Sequence, residues 1–181
     1  MKKLSPKTLI ITLIVAVYLF LFAGKFNLLS GIRKPQSAEI KYTARCTRVI
    51  DGDTIEAVFT GNNRFSEKKE KIRFVGVNTP ELNINKKEGP EYWAKEAAAF
   101  TKKELEGHYI ELSFDDVSDS KDKYGRLLCY VWIDNYLFNK ILIESGNARY
   151  YPSYKFNSER MALFARAEDY AVNNRMGMWN E

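Results

Sequence analysis

Histidine and cysteine are scarce in this sequence of 181 residues, which contains one histidine, His108, and two cysteines, Cys46 and Cys129. A structural zinc site needs four His or Cys ligands, and a mechanism built on a histidine pair needs two histidines. Both classes of site are therefore excluded. The two cysteines leave two alternatives open, because they can form a disulfide outside the cytoplasm or stay as buried thiols.

Acidic residues are absent from the first 34 positions, where all six charged residues are basic. The whole chain has 28 basic and 23 acidic residues, a formal net charge of +5. Without those six, residues 35–181 have 22 basic and 23 acidic residues, a net charge of −1. The net positive charge of the chain therefore does not predict a broad cationic surface for nucleic acid.

Charge of either sign is absent from residues 8–24, an apolar run of 17 residues. As a helix this run is about 25 Å long, slightly less than the bilayer core of about 30 Å. We expect a basic flank at 1–7, a transmembrane anchor or uncleaved signal at 8–24, and a linker at 25–39. The basic flank favours a cytoplasmic N-terminus. The expected location is the cell membrane, with one span and the remaining domain outside the cytoplasm, or the medium if the segment is cleaved.

Residues 40–181 are predicted to form one α+β domain that is mainly β. Alternating apolar residues and turn signals predict strands at 41–50, 54–59, 72–77, 109–114 and 127–133. Helical spacing predicts helices at 90–107, 137–145 and 158–177, with Pro90 in a first turn and Ser158 as a cap. Five short strands with late helices predict a Greek-key barrel of the OB type with about three helices.

Three short segments combine the groups that phosphodiester hydrolysis requires, and each lies at a strand end or a turn. They are Val49–Thr54, Arg73–Glu81 and Asp122–Arg126. A hard cation prefers oxygen ligands, and arginines bind the negative charge of the transition state. A carboxylate orients or deprotonates the attacking water. Taken one by one, the segments also fit a simple turn, a helix start and an exposed hairpin.

In their order and spacing these segments resemble the thermonuclease family, the staphylococcal-nuclease-like domain. The resemblance extends from about Lys41 to Glu181 and includes Phe100–Lys103 and Trp179–Glu181. It implies an OB-type barrel that hydrolyses DNA and RNA with Ca²⁺ and leaves 3′-phosphate and 5′-hydroxyl ends. It implies DNA and RNA as partners and points to no protein partner, and we expect a monomer.

The resemblance also implies a role for each matched residue. Metal ligation is expected from Asp53, Asn78 and the carbonyl of Thr79, with Asp51 behind them. Arg73 and Arg126 are expected to clamp the phosphate, Glu81 to activate water, and Lys123 and Tyr124 to contact a flanking phosphate. A base-stacking role is expected for Tyr154 or its neighbours Tyr150 and Tyr151, although half-buried aromatics covering the barrel edge fit equally well. A local clamp of this kind predicts modest salt dependence.

Asn78 departs from the family pattern, which has a second ligating aspartate at this position. An amide oxygen still ligates calcium, but the site loses a formal negative charge, so we expect weaker metal affinity or relaxed metal choice. This departure keeps an alternative function open. The alternative is a membrane-tethered nucleic-acid-binding module on the same barrel that is catalytically weak or inactive.

Overall fold

Four antiparallel strand pairings and one parallel pairing form the predicted barrel. Its strands are β1 (Lys41–Asp51), β2 (Thr54–Phe59), β3 (Lys69–Phe74), β5 (Tyr109–Ser113) and β6 (Leu127–Ile133), and the short strands are β4 (Val77–Asn78), β7 (Tyr136–Leu137) and β8 (Arg149–Tyr150). The sheet order is β3-β2-β1-β5-β6-β7, and a parallel β3–β6 pairing closes it. Strands β4 and β8 form a separate antiparallel pair. The predicted five-stranded, mainly β fold is therefore confirmed.

The computed structural model describes residues 39–61, 63, 65, 67–83, 87 and 89–180. The barrel and its helices form one unit that begins at Ile40. The predicted anchor at 8–24 lies outside the described residues. Within the described part of the chain, no helix is both long enough and apolar enough to span a bilayer.

The barrel core comes from the inward-facing half of each alternating strand. On β2, Ile55, Ala57 and Phe59 are fully buried, and Glu56 and Val58 between them are half-buried on the outer face. Strand β1 follows the same rule around Ala44, and strand β3 around Ile72. Removal of this apolar surface from water is the main favourable contribution to folding. The same alternation decides which side chains lie on the outside of the barrel.

The prediction of one continuous strand at 72–77 is wrong in its second half, because the extended backbone is interrupted at Gly76. Strand β3 ends at Phe74, and Gly76 adopts a left-handed φ of +70°. A Cβ at Gly76 would lie 2.6 Å from the Phe156 ring and 2.8 Å from the Phe164 ring. Only glycine combines that φ with so close a contact. The break directs β4 away from the barrel and onto β8. The apolar run gave no signal of it.

A buried asparagine hydrogen-bonds to the backbone just before this break and to the backbone of β6. Asn139 is fully buried on helix α2 (Phe138–Glu144). Its Oδ1 accepts from the amide of Val131 at 2.8 Å, and its Nδ2 donates to the carbonyl of Val75 at 2.9 Å. Unpaired buried backbone groups are costly, so this side chain fixes the turn against β6.

The three predicted helices are confirmed, with corrected ends. Besides α2 they are α1 (Ala94–Leu105) and α3 (Ser158–Asn173), followed by a 3₁₀ turn at Gly177–Trp179. Helix α1 does not begin at Pro90, because Trp93 has a left-handed φ of 67° and the helix starts after it. The cap of α3 is Asn157 instead of Ser158. Its side-chain oxygen accepts from the amides of Glu159 and Arg160 at 3.0 and 3.2 Å.

The structure describes both cysteines as free, buried thiols, on strands β1 and β6. Burial raises the pKa of Cys46 to about 11, and it also raises the pKa of Cys129. Both side chains act as small apolar residues of the barrel core.

Candidate active site

The turn between β1 and β2 presents the first acidic segment of the site. Asp51 ends β1 and pairs with Thr54, which begins β2, so Gly52 and Asp53 form the turn. The carbonyl of Gly52 accepts from the Thr101 hydroxyl of helix α1 at 2.6 Å. A Cβ on Gly52 would lie 2.7–2.9 Å from the Thr79 side chain. The turn is therefore fixed between α1 and the strand end that carries Thr79.

Asp53 is almost fully buried, and both of its carboxylate oxygens have partners. Its Oδ1 accepts from the Thr54 hydroxyl at 3.0 Å, and its Oδ2 accepts from the Thr79 amide at 2.9 Å. The same Oδ2 forms an ion pair with Nη2 of Arg73 at 3.0 Å. A buried carboxylate needs partners of this kind, because its charge has lost contact with water.

Arg73 brings the second segment onto the first. Its Nη1 donates to the carbonyls of Phe74 and Val77 at 3.0 and 2.6 Å. Its Nη2 donates to Asn78 Oδ1 at 3.1 Å in addition to its contact with Asp53. The predicted phosphate clamp is thus hydrogen-bonded, in this structure, to two of the predicted metal ligands. One nitrogen lies about 3 Å from both the Asp53 and the Asn78 oxygen, so these two oxygens converge on one point.

Further carboxylates lie beside this point. The pKa of Asp51 is raised to about 6, mainly by burial and in addition by the charges of Asp53 and Glu81, although the hydrogen bond from the Gly52 amide acts in the opposite direction. Three acidic side chains therefore interact within one small region.

Glu81 itself is exposed, and its backbone is held by Glu91. The Glu91 carboxylate accepts from the Glu81 amide at 3.0 Å, and the Glu91 amide donates to the Glu81 carbonyl at 3.0 Å. These two bonds join the ends of the loop between them, so Glu91 positions the predicted water-activating residue. No sequence motif indicates Glu91, or Thr101 below the acidic turn, because the role of each depends on contacts between residues distant along the chain.

Arg126 lies on the third segment, in a turn organised by Asp122. Asp122 Oδ1 accepts from the amides of Tyr124 and Arg126 at 2.9 and 3.0 Å, and Oδ2 pairs with Arg126 Nε at 2.7 Å. The Tyr124 ring is exposed, with the Lys123 ammonium 5.1 Å and the Arg126 guanidinium 5.4 Å from its centre. The predicted contacts to a flanking phosphate are thus available to solvent.

Barrel closure brings the two arginines together. Arg73 pairs with Leu128 in the parallel β3–β6 ladder. Arg126 lies two residues before Leu128, and strands are about 4.8 Å apart with about 3.3 Å per residue, so the two arginine backbones are about 8 Å apart. Binding of one phosphate by both guanidinium groups stays a prediction.

Tyr154, which is predicted to stack on a base, has its hydroxyl and its ring held by contacts within the protein. Its hydroxyl accepts from the Gly76 amide at 3.2 Å, and its ring packs against Tyr151 and Phe156 at centroid distances of 6.1 and 5.9 Å. Burial raises the pKa of its hydroxyl. Tyr154 thus supports the break after β3, which fits the alternative of an aromatic that covers the barrel edge. Tyr151 is the more exposed ring of this pair.

The oxygen donors of the site come from one carboxylate, one side-chain amide and the backbone, and not from a cluster of acidic or thiol side chains. No group of three or more His, Cys, Asp or Glu side chains in the described parts of the chain is arranged to hold one ion. The convergent pair is one carboxylate, from Asp53, and one amide, from Asn78, with the Thr79 backbone beside them. An all-oxygen set of this kind suits a hard cation, so the residues fit calcium.

Comparisons with known proteins identify the family of this chain. Residues 71–181 match the family described as staphylococcal nuclease homologue. The chain is 33% identical to a thermonuclease of Staphylococcus intermedius and 31% identical to one of Staphylococcus hyicus, in both cases over 99% of each chain. It is 32% identical to endonuclease YncB of Bacillus subtilis, over 74% of this chain and 60% of that protein. The chain therefore belongs to the staphylococcal nuclease family and is a nuclease, a phosphodiester hydrolase.

Proposed function

We propose that this nuclease is a calcium-dependent endonuclease that cleaves DNA and RNA and leaves 3′-phosphate and 5′-hydroxyl ends. The observation that carries the proposal is the convergence of Asp53 Oδ2 and Asn78 Oδ1 on one position, about 3 Å from each. Nη2 of Arg73 occupies that position in this structure, so binding of an ion there requires the guanidinium to move. Asp53, Asn78 and the Thr79 carbonyl would hold the ion, which would supply a Lewis acid and a template at one phosphate oxygen.

The remaining chemistry falls to side chains of this chain. Glu81, exposed and fixed by Glu91, orients a water and accepts its proton as the water oxygen bonds to phosphorus. The bond from phosphorus to the 5′ oxygen breaks, and that oxygen takes a proton from solvent. Arg73 and Arg126 bind the negative charge that develops on the phosphate oxygens. Arg73 has to exchange at least one of its present bonds, to Asp53 or Asn78, for the phosphate.

The proposal is tested by the cleavage of plasmid DNA and of RNA with calcium and with a chelator. We expect cleavage that the chelator abolishes, and products whose 5′ ends a polynucleotide kinase labels directly. Glu81→Gln is expected to reduce the rate by about 10²–10⁴-fold, the usual contribution of a positioned acid or base. Glu96→Gln is the matched control, because Glu96 is an exposed glutamate in the first turn of α1.

Cleavage that persists in the chelator would contradict the calcium requirement, and a Glu81→Gln rate near wild type would contradict the assignment of Glu81. Binding of nucleic acid without chelator-sensitive cleavage would favour the alternative of a weak or inactive binding module.

We also propose that residues 8–24 tether the enzyme to the cell membrane, with the nuclease domain outside the cytoplasm. The support is the uncharged run of 17 residues and its basic flank. Blotting of membrane and medium fractions tests this placement. Recovery in the membrane fraction, with the domain accessible to protease in intact cells, is the expected result, and recovery in the medium would indicate cleavage instead.

A further inference from the structure

Positive charge is concentrated on the outer face of β1, β2 and β3, although the net charge of residues 35–181 is close to zero. Directly opposite residues of antiparallel strands point to the same side of a sheet. Arg48, Glu56 and Lys71 form one such row across the three strands, and Arg45, Val58 and Lys69 form the next. We name Arg45, Arg48, Lys69 and Lys71 the cationic face.

All four members of the cationic face are exposed. Among these two rows there is one carboxylate, Glu56, whose Oε2 pairs with Lys69 Nζ at 2.6 Å. The pKa of Glu56 is lowered by the hydrogen bond from Lys69 and by the charges of Lys69, Arg48 and Lys71. The charge of Arg48 also lowers the pKa of Glu106, which accepts from the Val49 amide. Two acids therefore face four cations, and the surface keeps a net positive charge at neutral pH.

The cationic face is continuous with the catalytic site. The next row along the same strands is Asp51, Thr54 and Arg73. On β3, Lys69, Lys71 and Arg73 therefore lie on one side at intervals of about 6.6 Å, a line of about 13 Å that ends at the predicted clamp. On the other side of β3, Arg126 directly precedes Leu127, the partner of Ile72, so its backbone lies beside that of Lys71.

We propose that the cationic face binds the phosphate backbone of the substrate strand beyond the cleaved bond. The enzyme then holds several successive phosphates of a long single strand, and not only the phosphate at the clamp. The inference rests on the proposed function, because it assigns the face to the substrate of the same site. Charge complementarity and continuity with Arg73 and Arg126 favour a polynucleotide over an anionic membrane as the occupant.

The test uses the full-length chain in neutral detergent micelles, with a chelator to prevent cleavage. Binding of fluorescent single-stranded DNA of about 12 nucleotides is measured against salt concentration for Lys69→Gln/Lys71→Gln. We expect about tenfold weaker binding near 0.1 M salt, and a log–log salt slope smaller by about 1.4, since each contact to a single strand contributes about 0.7. Circular dichroism checks that the variant is folded.

Two further variants keep the test specific. Lys103→Gln/Lys140→Gln removes the same charge from helices α1 and α2, where both lysines pair with a glutamate of their own helix. This control is expected to bind like wild type. Glu56→Gln removes the one acid from the rows and is expected to tighten binding and steepen the salt slope. This opposite sign distinguishes the cationic face from a general loss of stability.

A kinetic comparison separates this inference from the proposed function. With calcium, Lys69→Gln/Lys71→Gln should cleave a dinucleotide at the wild-type rate, because so short a substrate does not reach the face. Its KM for long DNA should rise while kcat is unchanged. If wild type itself cleaves nothing with calcium, the proposed function fails, but the binding measurement still decides the role of the face.

Two results would overturn the inference. One is a Lys69→Gln/Lys71→Gln variant whose affinity and salt slope equal those of the Lys103→Gln/Lys140→Gln control. The other comes from amine-reactive labelling of the wild-type chain in vesicles. If phosphatidylserine protects Lys69 and Lys71 and the oligonucleotide does not, the face binds a membrane instead of the substrate strand.

Discussion

Two Asp–Arg pairs in this nuclease have the same chemistry and opposite surroundings. Asp53 and Arg73 meet at 3.0 Å with 6% and 12% of their side chains exposed, and they come from different strands. Asp122 and Arg126 meet at 2.7 Å with 17% and 28% exposed, four residues apart in one turn. The first pair depends on the closed barrel, while the second needs only its local turn.

The two pairs have different roles in the proposed site. The buried pair lies where the predicted metal ligands converge, and each of its charges needs the other because neither is well hydrated. The more exposed pair holds an arginine ready for a phosphate that arrives from solvent. Loss of the buried pair should therefore disturb folding as well as catalysis, and loss of the more exposed pair should disturb catalysis with only a small effect on folding.

The largest effect on stability is expected from Asp53→Ala. It leaves the Arg73 charge buried without its partner, which costs about 3–5 kcal/mol of unfolding free energy. Asp122→Ala, the matched change in the exposed pair, should cost about 1 kcal/mol. Urea unfolding in the presence of a chelator measures both. Equal losses in the two variants would break the distinction between a tertiary and a local pair.

Arg126→Ala should show the reverse pattern. We expect the cleavage rate to fall by about 10²–10³-fold, because a charged donor to the transition state is lost, while the unfolding free energy changes by less than about 1 kcal/mol. Arg166→Ala, at an exposed position of helix α3, serves as the control. A rate near wild type would remove Arg126 from the clamp.

Asn78→Asp tests whether the residue beside the buried Asp53–Arg73 pair is a metal ligand. A second carboxylate at the convergence point should tighten calcium binding by about tenfold, since ligand charge is a main determinant of calcium affinity. It should also strengthen the contact with Arg73 Nη2, now 3.1 Å from the amide oxygen. Calorimetric titration with calcium measures the affinity directly. An unchanged or weaker affinity would indicate that Asn78 is not a ligand.

The smallest expected effect is the acid sensitivity of the exposed pair. Although burial acts in the opposite direction, the hydrogen bonds from Arg126 and from the Tyr124 amide lower the pKa of Asp122. A lowered pKa in the folded state stabilises the protein above the ordinary value of about 3.9, and this stabilisation is lost as the pH falls through the folded pKa. Asp122→Asn should therefore flatten the decline of stability below about pH 4, measured by urea unfolding. A decline as steep as in wild type would assign the sensitivity to other groups, such as Asp115, whose pKa is also lowered.

Much of the barrel was predictable because strand alternation and turn residues are local signals. The starts of β1, β2, β5 and β6 lie where the sequence analysis places them, at Lys41, Thr54, Tyr109 and Leu127. The break at Gly76 was not predictable, since it depends on Phe156 and Phe164 from the other end of the chain. The early start assigned to α1 fails for a similar reason, because the backbone of Trp93 adopts a left-handed conformation just before the helix.

The site was predicted as a set of residues but not as an arrangement. The family resemblance predicts Asp53, Arg73, Asn78 and Glu81 as site residues, and in the structure Arg73 contacts both Asp53 and Asn78. That Arg73 is hydrogen-bonded to predicted metal ligands could not be read from the sequence. The support of Glu81 by Glu91 and of Gly52 by Thr101 likewise comes from residues that are distant along the chain.

The distribution of charge along the chain differs from its distribution over the folded domain. Residue counts along the chain suffice to assign the excess of positive charge to the N-terminal 34 residues, and short motifs suffice to recognise the segments of a nuclease. The pairing of strands is what brings Arg45, Arg48, Lys69 and Lys71 onto one face beside the predicted clamp. Alternation tells which residues share a side of one strand. Strand register and barrel closure, which are set by long-range packing, decide which sides meet.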